Sequence, residues 1–274
     1  MAAATWVRTD MEWRRFTVPV DRGAISGEIR AGARADLPPL CFLHGMAGSR
    51  GDWDRLIAHL PDDRTIVRHD LRGFGESTAV EGAPFSHADD LLAMLDALDL
   101  DRITPVGLSM GGAVVLNFAL AHPHRVSRLV LVSPAMVGWE WSAEWRAQWR
   151  AVATAARAGD MALARERWLA HPMFDHVMRG PLADELAHEV ASFQGRQWVR
   201  SDERPELPDI DRLSMLAMPT LLLTGAGDVP DMRLIADVIA ASAADVKRID
   251  YADTGHMVHL ERAAEAASAI AAFA

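Results

Sequence analysis

The sequence predicts an α/β fold, a mostly parallel sheet with helices on both faces, on three observations. Short apolar runs suited to buried strands alternate with helical stretches, the arrangement that gives parallel strands joined by crossover helices. Gly107, Ser109 and Gly111 form a G-x-S-x-G pattern where one such run meets a helix, as expected of a nucleophilic serine on a tight strand-to-helix turn. Residues 136–208 contain no strand-like run and interrupt the alternation, which marks an inserted helical subdomain. The organisation that follows is a core of residues 1–135 and 209–274 with a helical cap over 136–208.

The elements read in order. Residues 16–20 and 24–29 form an opening hairpin about Asp21, Arg22 and Gly23. Residues 40–43 make a short buried strand, 53–60 a helix and 65–69 the next strand. Leu91, Leu92, Leu95 and Leu98 recur at helical spacing, which predicts a helix over 87–98. The run 103–106 leads into Ser109, and 112–121 continues as a buried helix. Residues 128–132 are the sixth strand in this reading. Pro134 and Pro208 bracket the insertion, which carries Trp139, Trp141, Trp145, Trp149, Trp168 and Trp198. Beyond it come strands at 220–223 and 246–251, then an alanine-rich closing helix over 260–273.

Composition narrows the function. Half of the 274 residues are hydrophobic and 24% are charged, ordinary for a globular protein. A formal net charge of −10 argues against a polyanion-binding surface, so no nucleic-acid partner is expected. The lone Cys41 lies in an apolar run, so no intrachain disulfide can form and a buried thiol is expected. Residues 1–10 lack the apolar stretch of an export signal, and no run approaches a membrane span, so cytoplasmic residence is the expectation. His122 and His124, and His171 and His176, lack the spacing and accompanying acid of a zinc site, so neither metal nor cofactor is expected. Nothing in the pattern speaks to oligomeric state.

A serine hydroxyl needs a base, and on the strand-turn-helix scaffold the partners follow as acid and then histidine. Asp228 sits on the loop leaving the strand at 220–223, and His256 on the loop after the last strand. His259 reads as a capping or surface residue at the start of the closing helix. Asp231 reads as a helix-start charge, and Asp253 is too near His256 along one loop to orient its ring. The small-residue loop after the strand at 40–43 can approach the serine turn, so the amides of Met46 and Met110 are the candidate donors to a developing oxyanion. His44 precedes the serine and reads as a loop-fixing residue. Some tryptophans pack the insertion and others line an apolar pocket, for which Trp139, Trp141, Trp145 and Met257 are the candidates.

These marks together resemble the α/β-hydrolase family along nearly the whole chain. They are His44 and Gly45; Asp70, Gly73, Gly75 and Ser77; Gly107, Ser109 and Gly111; Gly225, Gly227 and Asp228; and Gly255 and His256, all in family order. The resemblance implies that fold, with a helical cap inserted after the sixth strand, and a loop over 70–77 that supports the floor of the site. Leu71, Arg72 and Gly73 with residues 107–112 are similar to 3-oxoadipate enol-lactonases and carboxylesterases. Dehalogenases and epoxide hydrolases carry aspartate where Ser109 stands. Ring-cleavage carbon–carbon hydrolases usually show Gly-Pro-Gly where Met46, Ala47 and Gly48 stand. The expectation is a serine hydrolase acting on a small-molecule ester or lactone through an acyl-serine. A carbon–carbon hydrolase or lyase on the same three residues, and a non-catalytic ligand receptor, are the alternatives.

Overall fold

Alternation of buried residues decides how the sheet is covered. The computed structural model describes residues 5–8 and 13–274, and most of the segment behind the export-signal expectation lies outside them. The chain runs through β1 (Thr5–Arg8), β2 (Arg14–Val20), β3 (Gly23–Arg30), β4 (Leu40–Leu43), α1 (Asp54–Ile57), β5 (Ile66–His69), β6 (Thr78–Ala79) and α2 (His87–Ala97). It continues through β7 (Thr104–Leu108), α3 (Met110–Ala121) and β8 (Leu129–Val132). With β9 (Thr220–Gly225) and β10 (Val246–Tyr251) further along the chain, the sheet order is β1-β2-β3-β5-β4-β7-β8-β9-β10, with β6 beside β3. Strands β1 to β3 pair antiparallel, β3 meets β5 antiparallel, and from β5 to β10 every pairing is parallel.

Strands β4, β5, β7, β8 and β9 (Thr220–Gly225) are buried at every position, as a sheet covered on both faces requires. Their side chains alternate between two cores. Cys41, Leu43, Leu131 and Leu222 join α2 and α3 on one face. Leu40, Phe42, Val106, Val130, Leu221 and Leu223 pack with α1 and the C-terminal helices on the other. Burial pushes the Cys41 thiol up to about 12, which keeps it protonated.

Between β8 and β9 lie α4 (Ala143–Arg157), α5 (Met161–Leu169), α6 (Asp175–Met178), α7 (Ala183–Ser192) and α8 (Arg196–Val199), with no strand among them. The chain closes with α9 (Pro230–Ser242), β10 (Val246–Tyr251), α10 (Val258–Glu261) and α11 (Ala263–Phe273). The insertion follows the sixth strand read from the sequence; β1 and β6, which the pattern did not reveal, make that strand the eighth. Among the described residues no helix is long and apolar enough to cross a membrane.

Two expected elements and one residue differ. The helix expected over 53–60 is a 3-10 turn at Arg50–Trp53 followed by the single turn of α1. Pro61 disfavours helical backbone at Leu60 and stops it early. The closing helix is broken at Arg262 (φ −129°, ψ 40°), whose guanidinium donates to Thr254 Oγ1 at 2.9 Å and to the Ala252 carbonyl at 3.2 Å. His259 is not a surface residue. It is fully buried against Trp53 at 5.2 Å between ring centroids, and burial drives its pKa down to about 3, so it stays neutral. Trp53 comes from a distant stretch of chain, so nothing local announced that contact.

Candidate active site

The direction of the chain reverses across the sheet at β4, whose neighbours are β5 on one side and β7 on the other. Loops leaving the carboxyl ends of β4 and β7 meet at such a switch point, where ligands of open α/β sheets bind. Ser109 stands between β7 and α3 with φ 51° and ψ −113°, a conformation costly for a residue with a Cβ. Its surroundings hold it there. The Ser109 amide donates to the Val132 carbonyl at 3.0 Å, and its own carbonyl accepts from Ala113 and Ala135 at 3.0 and 2.9 Å. A Cβ on Gly107 would sit 2.4 Å from the Gly111 carbonyl oxygen, and one on Gly111 would sit 2.4 Å from that of Leu43. Only glycine permits so close a turn at those two positions.

Asp228 and His256 meet across the next two loops. A Cβ on Gly225 would lie 1.9 Å from the Gly255 carbonyl oxygen, so the loops after β9 and β10 are in backbone contact. The Gly227 amide donates to the Thr254 carbonyl at 2.9 Å and locks that contact. Asp228 Oδ1 accepts from the Val229 amide at 2.7 Å, which leaves Oδ2 to receive His256 Nδ1 at 2.8 Å. Both side chains are 2% exposed. A carboxylate on Nδ1 keeps the proton there and leaves the Nε2 lone pair free to take another. Glu261 supports the same loop by accepting from the Gly255 amide at 3.1 Å, and it also pairs with His176.

Ser109 and His256 open on one small cavity of about 20 Å³, room for roughly one water molecule. Gly45, Met46, Asp52, Glu189 and Met257 are also on its wall. The amides of Met46 and Met110 donate to no acceptor among the described residues. His44 fixes the loop that carries Met46. Its Nδ1 donates to the Gly45 carbonyl at 2.7 Å and its Nε2 accepts from the Leu71 amide at 3.0 Å. Burial lowers its pKa to about 4, and with both nitrogens engaged it has no lone pair to serve as a base. Asp70 ties the 70–77 loop to the same region, accepting from the amides of Arg50 at 2.7 Å and Glu76 at 2.9 Å.

A second cavity of about 410 Å³ reaches from Ser109 under the insertion. Trp141, Trp145 and Trp149 of the α4 stretch line it with Trp168, Met173 and Met232, and Arg146 and Arg150 complete that side. Trp141 and Trp145 stack with centroids 4.2 Å apart. The expected pocket residues therefore divide. Trp141 and Trp145 line the larger cavity, Met257 the smaller, and Trp139 neither. The Trp139 indole N–H is turned toward Asp231 at 3.4 Å, and Asp231 also receives the Ser142 amide at 2.9 Å and hydroxyl at 2.6 Å. Asp231 thus opens α9 as expected and also anchors the insertion. Trp149 continues the four-residue spacing of Trp141 and Trp145 and could have been read with them. Met232 reaches the pocket from α9, and no local pattern signals that.

Among the described residues no group of three or more His, Cys, Asp or Glu side chains could hold a metal ion. The chain is similar to known proteins over most of its length. It is 22% identical over 230 residues to 3-oxoadipate enol-lactonase 1 of Acinetobacter baylyi, covering 82% of this chain and 84% of that protein. It is 36% identical over 108 residues to the 2-hydroxy-6-oxo-2,4-heptadienoate hydrolase of Pseudomonas putida, 37% of this chain and 39% of the other. The crystal structure of the enol-lactonase from Burkholderia xenovorans superposes with a TM-score of 0.80 at 22% identity, over 94% of this chain and 98% of that one. The serine turn at a topological switch point, the acid and histidine loops behind it and the insertion after β8 all lie in the stretch that matches the family model for the alpha/beta hydrolase fold, residues 38–263. The chain belongs to the α/β-hydrolase family.

Proposed function

We propose that this enzyme is a serine hydrolase that cleaves a carboxylic ester or lactone through an acyl-serine. The observation that carries the reading is the buried His256–Asp228 hydrogen bond at 2.8 Å, on the wall of the cavity into which Ser109 opens. His256, oriented by Asp228, takes the Ser109 proton as the oxygen attacks the carbonyl. The Met46 and Met110 amides receive the developing oxyanion, each worth about 3 kcal/mol in the transition state. His256 then protonates the departing alcohol. It next activates water to attack the acyl-serine, which returns the proton and frees the acid. The tryptophan- and methionine-lined cavity suits an apolar acyl or alcohol group. The similarity to an enol-lactonase supports the same chemistry. Residence in the cytoplasm belongs to this proposal as well.

Turnover of p-nitrophenyl butyrate tests it, together with fluorophosphonate labelling and mass-spectrometric mapping of the modified residue. Ser109→Ala is expected to lower kcat by at least about 10³-fold and to abolish labelling, and Asp228→Asn to lower kcat by about 10³–10⁴-fold. Label on another residue, or full activity of Ser109→Ala, would overturn the assignment. The partial match to a heptadienoate hydrolase names the competing chemistry. A chain inert to every ester and lactone that cleaves a vinylogous diketone would place the carbon–carbon reading first.

A further inference from the structure

Two arginines stand out among the residues that line the larger cavity. Apart from Arg146 and Arg150, its wall is tryptophan, methionine, alanine and Ser109. Both arginines sit on α4, four residues apart, directly after Trp145 and Trp149, which are four apart themselves. One helical step is about 100°, so the arginines form a stripe flanking the aromatic one. Both are exposed, which puts them at the mouth of the cavity with the serine inside it.

The other arginines of the insertion are all occupied. Arg157, Arg165 and Arg167 donate to the carbonyls of Val199, Phe193 and Ala151. Arg179 pairs with Asp175, Arg196 and Arg200 with Asp202, and Arg204 with Asp89. Among the described residues, neither Arg146 nor Arg150 makes an ion pair or a hydrogen bond through its guanidinium. Like charges four apart on a helix repel, so this pair costs the free protein a little stability. An anion bridging both would relieve the repulsion and gain charge-assisted hydrogen bonds. With a formal net charge of −10 the molecule as a whole repels anions, so a local cationic pair at a pocket mouth has a selective effect.

We infer that the preferred substrates carry a carboxylate at the end of the apolar group remote from the scissile carbonyl, received by Arg146 and Arg150. This rests on the serine-hydrolase reading for the position of the reacting bond, but the anion site can be tested apart from it. Mono-p-nitrophenyl suberate ends in a free carboxylate, p-nitrophenyl nonanoate is neutral and of similar length, and p-nitrophenyl 8-aminooctanoate is cationic. The expected order of kcat/KM is anionic, neutral, cationic. In Arg146→Gln/Arg150→Gln the anionic-to-neutral ratio should fall by about tenfold, carried by KM, and Arg146→Lys/Arg150→Lys should recover part of it. Raising the salt to 0.5 M should shrink the ratio in the parent but not in the glutamine variant. Binding is read separately in Ser109→Ala by quenching of pocket tryptophan fluorescence. There monomethyl suberate should bind more tightly than dimethyl suberate, and the glutamine pair should erase the difference. Equal binding of the two suberate esters in Ser109→Ala, or a kcat/KM ratio unchanged by the glutamine pair, would overturn the inference. If no ester is turned over while the binding difference holds, the anion site stands and the serine-hydrolase reading falls.

Discussion

A methyl group added at Gly225 would place a Cβ 1.9 Å from the Gly255 carbonyl oxygen, so one of the two loops would have to move. Backbone cannot yield as a flexible side chain can, and the loop that would shift carries His256. Gly225→Ala is therefore expected to lose about 1–3 kcal/mol of stability, as overpacked sites do, and about 10²-fold in kcat if the imidazole shifts by an ångström. Denaturant melts and ester turnover measure the two effects. Gly159→Ala is the control. That residue has a positive φ, 82°, which Gly225 does not, but nothing lies within 4 Å of the added Cβ, so it should lose only about 1 kcal/mol and keep its turnover. The same backbone demands made Ser109, Asp228 and His256 legible. Each needs glycine close by, and glycines at Gly107, Gly111, Gly225 and Gly255 mark the sequence locally. His259 and Trp139 left no such mark, since a buried ring and a turned indole are set by Trp53 and Asp231, far off in the chain.

Helices and strands of the core were readable for a related reason. A strand buried on both faces must be apolar at nearly every position, and a surface helix apolar at every third or fourth. The insertion obeys neither rule cleanly, because its helices pack on one another as well as on the sheet. Trp168 of α5 shows this. It is 3% exposed and touches Trp149 at 6.0 Å, Phe174 at 5.4 Å and Trp198 at 5.8 Å between ring centroids, while another part of it lines the larger cavity. Packing and pocket lining are one role here, which spacing alone could not divide. Trp168→Ala should cost about 3–5 kcal/mol, measured by denaturant unfolding. If folded, the variant should favour bulkier acyl chains relative to the parent, because the indole volume passes to the pocket. Unchanged chain-length preference would mean that the neighbours had collapsed into the gap.

Across the whole molecule, the insertion and the core bring two carboxyl groups to the wall of one cavity. Glu189 of α7 and Asp52 of the core share the wall of the smaller cavity. Burial, with Glu185 and Asp54 adding repulsion, raises Glu189 to about 7, against a partial offset from Arg55. Burial and Glu189 raise Asp52 well above its ordinary value. A raised folded pKa means that the native chain holds a proton the unfolded chain has released. Stability therefore falls as pH rises from the ordinary glutamate range through about 7 and stays lower above it. Glu189→Gln, which removes the charge, should melt at a higher temperature than the parent at pH 8 and at nearly the same temperature at pH 4. Thermal melts at the two values decide it, and an equal gap at both would show that the carboxyl is not the cause.

Asp231 binds Ser142 and the Trp139 indole three residues after Asp228, so the same short stretch of chain holds the insertion and carries the carboxylate bonded to His256. Anyone exchanging residues 136–208 for those of another hydrolase would cut that tether unless the donor segment brought its own hydroxyl to position 142. A chimera built without it would show slack in the histidine's orientation before any loss of fold, and restoring that one serine would be the repair to try first.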